Sequence, residues 1–97
     1  MTRAPASRPE PLDSASKREQ AKLLVLFGGH LRALRHEREK TVEQVAAAAG
    51  LHPNYLGSIE RGERNVALFN IWRIAAALDV PVSALVHELP KRRTAPA

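Results

Sequence analysis

The stretch TVEQVAAAAGLHPNYLGSIERG, Thr41 to Gly62, reads as two short helices joined by a glycine turn, and the rest of the chain is arranged around it. Thr41 stands as an N-cap, and Gln44 three residues on reaches back to its backbone N–H, the Thr-x-x-Gln form of a capping box. Helix therefore starts at Val42. The alanine run to Ala49 lets a second helix approach closely, and Gly50 supplies the left-handed residue that ends the first one. Pro53 suits the first turn of the second helix, where its missing N–H costs nothing, and Gly62 offers the stop. That second helix is expected over Pro53 to Arg61.

At about 100° per residue, the second helix carries Tyr55, Leu56, Ile59 and Glu60 on one side and Asn54, Gly57, Ser58 and Arg61 on the other. The latter set is short and polar and is expected to face outward, as a helix entering a major groove requires. These residues resemble the Cro and phage-repressor type of helix-turn-helix, the XRE family. The resemblance runs on through GERN, Gly62 to Asn65, and LFNIWRIAAALDVPVSAL, Leu68 to Leu85.

The resemblance implies an all-α fold, a compact five-helix bundle of the repressor-like type with flexible N- and C-terminal tails. It also implies a cytoplasmic, sequence-specific transcriptional regulator whose partner is double-stranded DNA in the major groove. A homodimer on a roughly palindromic operator follows, with half-sites ~34 Å apart. The implied DNA contacts are Thr41, His52, Pro53, Asn54, Tyr55, Gly57, Ser58, Arg61, Arg64 and Asn65. Arg64 and Asn65 are expected on the backbone, and Asn54 is the expected base reader, since an Asn side chain pairs with adenine through two hydrogen bonds. The family also pairs the residues matching Arg35 and Glu60. Small size and the lack of an effector domain resemble restriction-modification controller proteins and compact phage-type repressors, and activator and repressor both remain open. Val42 departs from the pattern, because many members place a phosphate-contacting glutamine there.

Residue chemistry bounds the rest. A chain of 97 residues is one domain at most, and it carries no cysteine, so no disulfide framework supports it. Three segments are expected: 1–22, a flexible N-terminal arm with a possible helical extension; 23–89, the helix-turn-helix domain; and 90–97, a basic C-terminal tail. The formal charge of +5 lies in the two ends, because residues 23–89 hold seven basic and seven acidic side chains. Ser14 or Ser16 is a candidate cap for a helix through KREQAKLL, and Gly28 with Gly29 marks either a break or a tight helix contact. Leu24, Phe27, Leu31 and Leu34 recur at helical spacing as a core stripe with Arg35 at its edge. Glu60 falls on the buried side of the second helix and needs a partner there, since a stranded buried charge costs several kcal/mol.

Leu68 to Asp79 forms the next expected helix, with Leu68, Ile71, Ile74, Ala75 and Leu78 toward the core, and Val82 onward a last short one. Its apolar arc is wider than one packing partner requires, because Phe69, Trp72 and Ala76 lie beside the core face. These three with Leu85, Val86 and Leu89 are the expected dimer interface; alternatively the segment Ser16 to Leu26 folds over Trp72. Four histidines without shared ligand spacing and the absence of cysteine give no metal site. No catalytic motif, cofactor site, small-molecule site or membrane span is evident, so an enzyme is not expected. A protein-interaction module such as an antitoxin-like subunit is the alternative from another functional class.

Overall fold

The computed structural model describes residues 10–92, and among them the chain is all-helical. The helices are α1 (Ser14–Glu37), α2 (Val42–Ala49), α3 (Pro53–Glu60), α4 (Leu68–Ala77) and α5 (Val82–Val86). The outermost parts of both expected tails lie outside the described residues.

α1 starts where Asp13, not Ser14 or Ser16, accepts a hydrogen bond from the Ser16 N–H at 2.7 Å. That bond holds the Asp13 carboxyl below its ordinary range. The helix then runs unbroken through Gly28 and Gly29, so the boundary drawn at 22/23 falls inside one continuous element. Gly28 explains the continuity: a Cβ there would collide with the backbone carbonyls of Ile59 and Glu60, whereas one on Gly29 would meet nothing. The glycine pair marks a tight crossing rather than a break.

α2 opens on the capping box, with Gln44 N–H donating to Thr41 Oγ1 at 3.1 Å and Thr41 N–H to Gln44 Oε1 at 2.8 Å. It closes on Gly50 at φ 71°. α3 follows after Leu51 and His52 and ends one residue earlier than expected, with Arg61 as its C-cap.

The core gathers Phe27 and Leu31 from α1, Val45, Ala46 and Ala49 from α2, Leu56 and Ile59 from α3, and Ile74, Ala75, Leu78 and Leu85 from the C-terminal part. α3 packs on both α1 and α2, while α4 packs on α2 and α5 closes against α1 and α4. Leu24 and Leu34 are only half-buried. Leu68 departs from expectation at 73% exposed. It sits at the first position of α4. Leu85 departs in the other direction: it is fully buried, so α5 points it into the core and not toward a second chain.

Candidate nucleic-acid interface

Local chemistry at the start of α3 decides what this helix presents. Pro53 occupies the first turn and has no N–H to satisfy. His52, the N-cap, uses ring Nδ1 to accept from the Asn54 N–H at 3.0 Å, which leaves the Nε2 side as the donor edge. With its backbone satisfied in this way, Asn54 stands exposed, and among the described residues its side-chain amide has no hydrogen-bond partner. Gly57, one turn on, keeps the surface low. A Cβ there would approach only the flexible end of Arg61, at 3.2 Å.

Ser58 is not on this outward surface. It is only 5% exposed, donates from Oγ to the Tyr55 carbonyl at 2.6 Å and accepts from Arg64 Nε at 3.3 Å. The one-hundred-degree wheel puts Ser58 outside; the loop after α3 folds back and covers it. Its hydroxyl therefore positions Arg64 instead of reaching outward. Tyr55 is half-buried, with its hydroxyl 3.5 Å from Asn70 Nδ2.

The end of α3 is electrostatically closed. Arg61 donates to Glu63 through Nε at 3.0 Å and Nη2 at 3.2 Å. These bonds raise the guanidinium further within its high range and hold the Glu63 carboxyl below its ordinary range. Asn65 is exposed in the same loop. Thr41 is exposed at the N-terminus of α2, where backbone N–H groups and the helix dipole favour an anion.

Behind this surface, Arg35 grips Glu60 through Nε at 2.6 Å and Nη2 at 2.9 Å and donates Nη1 to the Lys40 carbonyl at 2.9 Å. The two side chains keep only 11% and 7% of their surface exposed. Bonding to Glu60 raises the Arg35 guanidinium, and together the contacts tie α3 to α1 and to the turn before α2. Arg73, which carries no signal in the linear pattern, clamps the turn after α2: Nη2 donates to the Gly50 carbonyl at 2.8 Å. Twenty-three positions separate those residues, so only the packing of α4 on α2 brings them together.

The outer flank of α4 is the second notable surface. Trp72 and Phe69 are 60% and 62% exposed, with ring centroids 6.0 Å apart, and the Arg73 guanidinium lies 5.4 Å from the Phe69 centroid. The segment Ser16 to Leu26 does not cover Trp72. Ala76 and Val86 are exposed as well, while Leu89 is half-buried against the core.

A helix-turn-helix family model matches residues 31–85, which spans all of α2 to α4 and most of α5. Control protein C.MunI of a Mycoplasma species is 38% identical over 68 residues, 69% of this chain and 92% of that protein. The immunity repressor protein of Bacillus phage phi105 is 41% identical over 61 residues, and the match covers 42% of its length. Among solved structures, the restriction-modification controller protein C.AhdI from Aeromonas hydrophila matches at a TM-score of 0.63 and 45% identity, covering 64% of this chain and 94% of that one.

Proposed function

Because this chain belongs to the helix-turn-helix family, with relatives that are control proteins and repressors, we propose that it binds a roughly palindromic operator as a homodimer through α3. The observation that carries the reading is Asn54. Its amide is exposed on the first turn of α3 with no partner among the described residues, while its own backbone is already satisfied by His52. Such an amide offers a donor and an acceptor together, the combination that adenine presents in the major groove.

Around it, His52 Nε2, Thr41 with the α2 N-terminus, Arg64 and Asn65 supply phosphate contacts that set register without reading sequence. Ser58 aims Arg64, and Arg61 reaches DNA only by leaving Glu63. The paired halves of a palindrome call for two α3 helices. The exposed apolar flank of Phe69, Trp72, Ala76 and Val86, extended by Leu68, supports a second copy as the element that brings them together. The similarity to controller proteins that act in restriction-modification systems supports a regulator of the same compact kind.

The test compares two variants on duplexes carrying any inverted repeat upstream of the chain's own gene and on mixed-sequence duplexes. Asn54→Ala is expected to lose ~1 to 3 kcal/mol of discrimination with non-specific binding retained. Arg64→Ala is expected to weaken binding to every sequence and to flatten the salt slope by about one unit. Parent-like binding by both variants would remove α3 from the groove.

A further inference from the structure

We propose that Arg73 is a positioning residue that couples the exposed flank of α4 to the start of α3, so that a second copy seated on the flank sharpens the reading of the operator. The inference rests on the homodimer and DNA-binding reading above and adds the side chain through which the two surfaces act on each other.

Two neighbouring strips of α4 meet at this residue. Phe69, Trp72 and Ala76 stand exposed on the outer strip. Asn70 and Arg73, one turn apart, are half-buried and reach the helix-turn-helix. Asn70 Nδ2 lies 3.5 Å from the Tyr55 hydroxyl of α3, and Arg73 Nη2 donates to the Gly50 carbonyl at 2.8 Å. Arg73 also follows Phe69 at i+4, the spacing that brings side chains together on a helix, and its guanidinium lies 5.4 Å from the centroid of that ring. One planar cation therefore bridges the outer flank and the turn.

The turn end of the bridge is closely fitted. Gly50 is the left-handed cap of α2 at φ 71°, and a Cβ on it would overlap the Arg73 guanidinium. Only Leu51 and His52 separate that carbonyl from α3, and His52 Nδ1 accepts from the Asn54 N–H at 3.0 Å. A shift of the Gly50 peptide thus passes to the first turn of α3, where Asn54 is exposed.

The flank end is open, with Phe69 62% exposed. A cation over an aromatic face and a hydrogen bond to a carbonyl both strengthen when water is removed. A copy that covers Phe69 therefore tightens the guanidinium on the ring and on the turn together. By linkage, operator held on α3 strengthens the dimer by the same factor.

The test uses the full chain with Arg73→Met, which removes the cation and its donors, and Arg73→Lys, which keeps the charge and loses the planar face. Fluorescence anisotropy on the upstream inverted repeat and on a mixed-sequence duplex, across a salt series, gives the ratio of affinities and the salt slope. Sedimentation equilibrium without DNA gives the dimer constant. Arg73→Met is expected to lower the affinity ratio about tenfold, a usual size for coupled sites. It is expected to weaken the dimer about threefold, as loss of a cation over an exposed ring does, and to keep the parent's salt slope. Arg73→Lys should fall between the two. A slope lower by about 0.9 would make Arg73 a phosphate contact and overturn the positioning role. A parent-like affinity ratio or a parent-like dimer constant in folded Arg73→Met would overturn the coupling, and if that variant unfolds, the same outcomes in Arg73→Lys overturn it. A parent that stays monomeric or binds neither duplex would overturn the proposed function as well.

Discussion

The seam between α1 and α3 and the outer flank of α4 invert the usual distribution of charge and hydrocarbon. In the seam, a guanidinium and a carboxylate are nearly buried, and a glycine is pressed against backbone carbonyls. On the flank, the chain's only tryptophan and one of its two phenylalanines stand open to water. The difference lies in where each group finds its partner. Arg35 and Glu60 are tolerated inside because two hydrogen bonds join them and a third reaches the Lys40 carbonyl. Phe69 and Trp72 stack on each other, the Arg73 guanidinium lies over Phe69, and among the described residues no further helix covers them. One region is complete within a single chain; the other leaves its apolar surface open.

The comparison is tested most severely at the ion pair. Arg35→Met or Glu60→Gln alone is expected to destabilise the fold by about 3 kcal/mol, the low end for a buried pair because the guanidinium still touches water. The double apolar replacement, Arg35→Met with Glu60→Leu, should be milder. Urea unfolding of the three variants checks this, and singles as stable as the parent would mean that the pair does not hold the seam.

The two adjacent glycines give the next effect, with opposite signs. Gly28→Ala forces backbone apart and is expected to cost ~1 to 3 kcal/mol, as overpacking does. Gly29→Ala has open space and should gain up to about 1 kcal/mol from helix propensity. Equal midpoints for both variants would show that α1 crosses α3 less closely than described.

Trp72→Glu sharpens the other half of the comparison and has the smallest effect on the monomer fold. Its stability is expected to change by no more than about 0.5 kcal/mol, as for an exposed site. Sedimentation should nevertheless turn a dimer into a monomer with weakened operator binding. A dimer of unchanged strength would place the contact away from α4.

Much of the helix-turn-helix was legible because its signals are local. The Thr41 and Gln44 box, the left-handed Gly50 and Pro53 in the first turn act within a few residues, so reading them needs no knowledge of the rest of the chain. Arg35 and Glu60 were visible for a related reason: a charge beside an apolar stripe demands a partner wherever the chain supplies one. Helical periodicity alone misplaced Ser58, Leu68 and Leu85. It gives the angle of a side chain about its own axis and says nothing of what lies across from it.

The sequence by itself determined five helices' worth of periodicity, the turn, the capping chemistry and the neutrality of residues 23–89, because propensity, φ preference and charge are properties of short segments. Only the tertiary structure decided that Ser58 is covered by Arg64, that Arg73 closes on Gly50, that Gly28 and not Gly29 is the crossing point, and that Arg92 returns to Glu19. Each of those contacts joins groups separated along the chain or depends on which face a neighbouring element covers. Their partners are fixed by how the helices pack, and that packing is a property of all the apolar faces together.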